Sequence, residues 1–358
     1  MGLPFTNSHA RKRDQMIAID LGGRSTKAVH LLRKGDRFVL TDYVIIDAAS
    51  HEKPVAPDVL GEHLKEISRR LNTKTRHLTL ALGVNDTIFR QTELPLMAPE
   101  DLRQMLKYNT KSYLQQDLQD HVFDSHYVLN SLASKPADGA RSTPTGTQKQ
   151  KAMVGGAKRQ TIEDVSTAMK AAGYIPEHVI PSLIGPVNAF ELAEPEAFAK
   201  DVVAVVELGF KNSTIVILNC GEIMLSRVVA IGGDQFTNGL AEQLGTSYQE
   251  AENIKIGMPG EVQEKLEPVI QPLGRELRAS IDFFEHQQDA TVSKVYLSGG
   301  SARSEFIVQI LQNELTVPCQ VWSPSKSLQL SLPPEKMGDI EQVSPQLTVA
   351  IGAAAAAF

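Results

Sequence analysis

Positions 17–29 read Ile-Ala-Ile-Asp-Leu-Gly-Gly-Arg-Ser-Thr-Lys-Ala-Val, a stretch with the residue types for anion chemistry. An apolar strand ends in an acid, crosses two glycines and a hydroxyl pair, and resumes as a second strand. Such a hairpin can hold phosphate. Gly22 and Gly23 let the backbone come close to an anion, and Ser25, Thr26 and free backbone N–H groups supply donors. Asp20, at the strand end, is placed to hold a metal-bound water. Two glycines between strands also make an ordinary hairpin turn, and this stretch alone leaves both readings open.

A second hairpin decides between them. Positions 202–217 read Val-Val-Ala-Val-Val-Glu-Leu-Gly-Phe-Lys-Asn-Ser-Thr-Ile-Val-Ile, again a buried strand that ends in an acid, here Glu207, then Leu-Gly, hydroxyls and another apolar strand. Duplicated phosphate hairpins facing each other across a cleft resemble the actin-like ATPase superfamily, which also contains sugar kinases and heat-shock chaperones. Its third element is a Gly-Gly turn beneath the nucleoside, and Val-Tyr-Leu-Ser-Gly-Gly-Ser-Ala-Arg at 295–303 is similar to it.

The elements that position these residues follow from periodicity. After the first hairpin, Gly35-Asp36 marks a turn and 37–46 alternates as a third strand. Residues 58–71 read as a helix with Val59, Leu60, Leu64, Ile67 and Leu71 on one face. Strands at 77–83 and 87–93 are expected to pair across Asn85-Asp86, followed by a helix at 99–114 with Leu102, Met105 and Leu106 on one side and a strand at 121–129. Residues 131–151 are nearly all Ser, Pro, Gly, Thr, Lys, Gln and Ala, which predicts a mobile loop. A strand at 151–156, a helix at 161–172 and a strand near 174–180 complete a small α+β module. The expected division is a mobile tail at 1–15, a first domain at 16–72 and 181–200, the inserted module at 73–180, and a second domain at 201–344. That second domain repeats the opening plan with strands at 202–207, 213–218 and 223–230, then a helical lobe at 234–287 whose longest helix is disturbed near Pro268 and Pro272. A small-residue helix at 345–358 packs near the first domain and lacks the Lys/Arg-rich face of a membrane anchor.

Composition narrows the function classes. At 358 residues, 42% hydrophobic and 22% charged, the chain can bury two cores. A net charge of −6 gives no general reason to expect nucleic acid or an anionic membrane as partner, so phosphate binding must come from local groups. Cys220 and Cys319 are far apart, in no metal-ligand or redox spacing, and fit a reducing cytoplasm. No uncharged apolar run reaches the roughly 18 residues of a membrane span.

Four stretches carry a closer resemblance. They are 19–27, Glu207-Leu208-Gly209, Ile-Gly-Gly-Asp-Gln-Phe-Thr at 231–237, and Ala-Glu-Asn-Ile-Lys at 251–255 following Leu244-Gly245. Over about 16–358 the chain resembles the PilM family, the actin-like cytoplasmic component of type IV pilus assembly, and more distantly the FtsA proteins of cell division. The inserted module favours this branch over actin or sugar kinases; chain length and the missing C-terminal anchor favour PilM over FtsA. The resemblance implies an α/β chain with the actin-like (ribonuclease H-like) two-domain ATPase fold and an inserted FtsA/PilM-type α+β subdomain. It also implies a scaffold that binds ATP with Mg²⁺ and docks the cytoplasmic tail of a PilN-like inner-membrane protein, so that contact with the membrane is indirect; self-association stays open. By position, Asp20 would hold the Mg²⁺ water shell and, with Glu207, be a catalytic acid. Gly22, Gly23, Ser25 and Thr26 would cradle phosphates from one side and Gly209, Asn212 and Ser213 from the other. Glu252 and Lys255 would approach the ribose and base, with Gly299, Gly300 and Ser301 under the adenosine. Without the motif, Glu252 and Lys255 read as a solvated helix pair.

Two rival functions are an FtsA-like division filament and a small-molecule kinase of the same superfamily. A kinase needs an acidic base near the γ-phosphate, and neither hairpin is followed by an obvious acid motif. Glu207 stands where the family usually has Asp and reaches about one methylene further, roughly 1.5 Å. The stretch 161–200, where actin's water-orienting Gln should have a counterpart, contains no Gln, and Asn188 is its one side-chain amide. The expectation is ATP binding with slow hydrolysis at most.

Overall fold

Two tight reversals, at Gly22–Arg24 and at Gly35, whose φ of +63° suits glycine, fold the opening segment into strands β1 (Gln15–Leu21), β2 (Ser25–Lys34) and β3 (Arg37–Asp47). The computed structural model describes residues 13–50, 55–128, 149–257 and 259–358. Helix α1 (Pro57–Arg70) leads to β4 (His77–Leu82), then β5 (Thr87–Pro95), α2 (Pro99–Tyr108), α3 (Thr110–Leu114), β6 (His121–Tyr127), β7 (Lys149–Lys158), α4 (Arg159–Ala171) and β8 (Ile175–Pro181). Helices α5 (Ile184–Ala193) and α6 (Pro195–Lys200) connect to β9 (Val202–Leu208), β10 (Ser213–Asn219) and β11 (Glu222–Val229). Then come α7 (Gly233–Leu244), α8 (Tyr248–Gly257), α9 (Gln263–Gln288), β12 (Lys294–Ser298), α10 (Glu305–Leu315), β13 (Cys319–Val321) and β14 (Gln329–Leu330). Two short helices, α11 (Pro334–Met337) and α12 (Ile340–Val343), precede α13 (Thr348–Ala355).

The strands form three sheets, ordered β14-β3-β2-β1-β4-β8, β11-β10-β9-β12-β13 and β5-β7-β6. The two larger ones share a plan. In each, three consecutive antiparallel strands are extended by parallel partners, β1 by β4 and β9 by β12. Period-two alternation puts Val203 and Val205 on one face of the second sheet and Ala204 and Val206 on the other. The first pair shares a core with Ala18 and Val29 of the first sheet and with α5 and α13, which lie side by side between the sheets. The outer face of the first sheet is covered by α1 and α4 through Leu64, Ile67, Val165 and Met169. That of the second is covered by α7, α9 and α10.

Helices α5 and α13 approach until backbone meets backbone. A Cβ on Gly352 would lie 1.8 Å from the Gly185 carbonyl oxygen, and one on Gly185 would lie 2.8 Å from the Val349 backbone.

Several expectations need correction. Strands β4 and β5 do not pair: β4 lies between β1 and β8 in the first sheet, while β5 pairs with β7. Because β4 and β8 are strands of that sheet and α4 covers it, the stretch 73–180 is not one inserted module; the separate sheet and its helices span 87–158. Most of the expected loop at 131–151 lies outside the described residues, as do 1–12 of the expected tail. Lys149 to Lys151 already belong to β7, and Gln15 belongs to β1. Val59, expected on the buried face of α1, is 45% exposed. Helix α9 runs through Pro268 and Pro272 without a break, because a buried stripe of Leu266, Ile270, Leu273, Leu277 and Ile281 carries it.

Candidate functional site

The ends of β1 and β9, from the two large sheets, and the turn after β12 line one cleft. The resulting cleft has a volume of about 1630 Å³, larger than the ~300–1,000 Å³ of ordinary small-molecule sites. It is lined by Asp20, Gly22, Gly23 and Ser25 from the first hairpin and by Glu207, Gly209 and Asn212 from the second. Glu252 and Lys255 of α8 and Gly300 and Ser301 after β12 complete the set.

Three candidates turn away from it, two of them for reasons of strand geometry. Side chains alternate along β2, so Ser25 and Lys27 face the cleft while Thr26 is buried behind it. The Thr26 hydroxyl shares a hydrogen bond of 2.8 Å with His63 Nε2 of α1. On β10 the same rule turns Thr214 to the cleft and buries Ser213, whose hydroxyl donates to the Ile231 carbonyl at 2.8 Å. Gly299 serves the turn instead: its φ is +94°, its N–H donates to the Pro345 carbonyl at 2.7 Å, and a Cβ would lie 2.4 Å from the Leu208 oxygen.

Lys27, Arg24 and Thr214 were not among the expected site residues, although the alternation that turns Thr26 and Ser213 away also turns Lys27 and Thr214 to the cleft. The register pairs Asp20 with Lys27 and Glu207 with Thr214, so the two hairpins place an acid opposite a donor in the same way. Lys27 Nζ lies 3.4 Å from Asp20 Oδ2. The hairpin tips meet, since a Cβ on Gly23 would touch the Phe210 ring at 3.4 Å.

Glu252 and Lys255 are not a solvated pair. Glu252 is 5% exposed and is bound at 2.6 Å by Lys255 Nζ and at 3.1 Å by Arg24 Nη1. It also accepts from the Thr237 hydroxyl. Burial by itself would raise its pKa, but the hydrogen bonds from Lys255 and Thr237 and the charges of Lys255 and Arg24 hold it below the ordinary value. Burial lowers the pKa of Lys255 against the pull of Glu252.

Glu207 differs from Asp20. Its carboxylate accepts from the Ser298 hydroxyl on the neighbouring strand, and burial pushes its pKa from 4.5 up to about 7, opposed by Ser298 and Lys27 and assisted by Asp20. An acid raised in the folded state is protonated in both states at low pH; between about 4.5 and about 7 only the unfolded chain releases the proton, so folding stability falls with rising pH. Glu207→Gln removes this term. Its stability gain over wild type should grow from near zero at pH 4.5 to on the order of 3 kcal/mol above pH 7, read from urea melts of both proteins across that range. A pH-independent difference would rule out this account of Glu207.

The donor set fits a nucleoside polyphosphate. Lys27, Arg24, Ser25, Thr214 and Asn212 converge on one cleft, and a Cβ on Gly300 would meet nothing nearer than Gln346 Oε1 at 4.0 Å, leaving room for a ligand against the backbone. Among the described residues no group of three or more His, Cys, Asp or Glu side chains could hold a metal by itself. A Mg²⁺ here would be held through phosphates, water and Asp20, as Mg²⁺ commonly is.

Comparison with known proteins agrees with this architecture. The protein of a PilM-PilN type IV pilus biogenesis complex has a similar fold, with TM-score 0.81 and 21% identity over 96% of this chain and 98% of that one. The ethanolamine utilization protein EutJ from Carboxydothermus hydrogenoformans is similar with TM-score 0.55 and 15% identity, covering 98% and 92% of the two chains. MreB5 of Spiroplasma citri, solved bound to AMPPNP, is similar with TM-score 0.50 and 10% identity over 89% and 93%. These likenesses establish an actin-like ATPase fold. The model of the family "Type IV pilus assembly protein PilM" matches residues 18–358, and the chain belongs to that family.

Proposed function

We propose that the protein is a nucleotide-binding scaffold of a type IV pilus assembly platform, which binds ATP with Mg²⁺ between its two large sheets and docks the cytoplasmic tail of a PilN-like inner-membrane protein. The observation that carries the nucleotide half is the convergence of two acid-glycine hairpins on one cleft with Lys27 between their acids. Asp20 would hold the metal's water shell, Lys27, Ser25 and Asn212 the phosphates, and Glu252 and Lys255 the sugar and base. Bound ATP would supply charge and bulk that join the two halves. Among the described residues no helix is long and apolar enough to cross a membrane, so the proposed place at the membrane comes from the partner.

Calorimetry with Mg²⁺ and ATP tests the first half. Wild type should bind, and Gly23→Val, which puts a branched side chain between the hairpin tips, should lose at least about tenfold in affinity. No binding by wild type at millimolar ATP would sink the nucleotide reading.

Family membership and the PilM-PilN neighbour support the second half, and the β5–β7 unit is the proposed dock. Its helix α2 has spent Leu102 and Leu106 on its own core, where they are 1% and 0% exposed. What it presents outward is Leu96 before its start, 55% exposed, and Tyr108 at its end, 74% exposed. Arg103 is tied to Asp124 at 3.1 Å, so reversing its charge would disturb the unit itself. Tyr108→Ala and Leu96→Ser are cleaner variants. Together they should cut capture of a PilN-like tail peptide at least about tenfold, since a few anchor residues, tyrosine prominent among them, carry most of the energy of such contacts. Unchanged capture would move the dock to another face.

A further inference from the structure

Arg24, at the tip of the first hairpin, crosses the cleft. Its Nη1 lies 3.1 Å from Glu252 Oε1, with the Arg24 side chain 43% exposed and that of Glu252 7%. The guanidinium also stands 5.9 Å from the centre of the Phe210 ring on the second hairpin. Glu252 Oε2 is engaged from its own lobe, by the Thr237 hydroxyl and by Lys255 at 2.6 Å. The other oxygen, Oε1, receives a donor from the opposite lobe.

We propose that Arg24 is an exchange latch that makes the cleft selective for ligands carrying both a sugar hydroxyl and a phosphate. The inference rests on the nucleotide reading above. A buried carboxylate must keep its donors, and removing one without replacement is costly. A ligand hydroxyl that reaches Oε1 therefore has to displace Arg24, and the freed guanidinium needs a new anion. A phosphate oxygen supplies it, and the planar fork of arginine suits phosphate. A nucleoside provides the hydroxyl alone and strips Arg24 with nothing in return. Pyrophosphate provides the anion alone and leaves Oε1 bare. A nucleotide completes both halves of the exchange, so Arg24 works against the nucleoside, gives pyrophosphate only part of its attraction because Oε1 is left bare, and does not lower the affinity for the whole.

Titration calorimetry of the full chain with adenosine, inorganic pyrophosphate and ADP tests this in wild type and in Arg24→Met, which keeps an apolar stem beside Phe210. The variant should bind adenosine about threefold to tenfold more tightly, pyrophosphate about threefold to tenfold more weakly, and ADP within about threefold of wild type. Opposite signs for the two fragments are what a merely structural role would not produce. In wild type, raising salt from about 0.05 M to about 0.5 M should tighten adenosine binding by screening the pair from its Arg24 side, which is 43% exposed, and Arg24→Met should lose that response. Should the Met variant misfold, Arg24→Lys and the salt series on wild type carry the test. Adenosine affinity that falls or stays put in the variant, with ADP still bound, overturns the latch and leaves the nucleotide site standing. Absence of ADP binding by wild type overturns both.

Discussion

Gly352→Ala should be among the most damaging single-methyl changes in this protein. The added Cβ would sit 1.8 Å from the Gly185 carbonyl oxygen, 2.7 Å from its carbonyl carbon and 3.0 Å from the Ala189 nitrogen. These are backbone atoms of α5, so no side chain can swing aside and the two central helices must separate. Both are buried along most of their length and share the core that joins the sheets. Separation therefore opens voids on both sides of the pair, at an expected cost of about 4 kcal/mol or more. For a chain of this size the melting temperature should drop by about 5 °C or more, unless the variant fails to fold outright. Gly338→Ala is the control: no atom lies within 4 Å of its Cβ position, and its melt should match wild type within about 2 °C. A Gly352→Ala melt equally close to wild type would show that α5 and α13 can part without loss.

How much of this was legible in the sequence depends on how local the signal is. Both hairpins were readable because each packs its message into a few adjacent residues, an apolar strand, an acid and glycines. Alternation within the strand was just as local, and applying it would have set aside Thr26 and Ser213 and promoted Lys27 and Thr214. The pairing of β4 was not local. Residues 77–83 and 87–93 are separated by a turn-like Asn85-Asp86 and look like a hairpin, yet Leu78 and Leu80 find their partners in β1, some sixty residues upstream by the Ile17–Leu78 register. Burial on both faces, with Leu78, Thr79, Leu80 and Ala81 at 0% to 1% exposure, is the mark of an interior strand. The Arg24–Glu252 contact was beyond any sequence pattern, since it joins two lobes whose relative placement is set by α5 and α13.

Phosphate release from Mg²⁺-ATP should stay below about one per second at saturating ATP, under the usual enzyme range. Binding needs donors and a metal; turnover also needs a water held in line with the γ-phosphate. Of residues 161–200, the cleft is lined by Ser182 and Leu183, neither an amide nor an acid. Asn188 lies within α5 at 5% exposure, with its Nδ2 without a hydrogen-bond partner, and it does not line the cleft. Glu207 does line it but spends its carboxylate on Ser298, and with a pKa near 7 a good part of it is protonated at neutral pH. A positioning group displaced by about 1 Å can cost on the order of a hundredfold in rate while binding is hardly touched. Glu207→Asp withdraws the acid by about one methylene and releases it from Ser298, so it should raise the rate while leaving ATP affinity within about twofold. The turn at Asn85-Asp86 also lines the cleft and offers a second place for a water-orienting group. If wild type releases phosphate faster than about one per second and Asp86→Asn abolishes it, the water belongs to that turn and Glu207 has no part in limiting turnover.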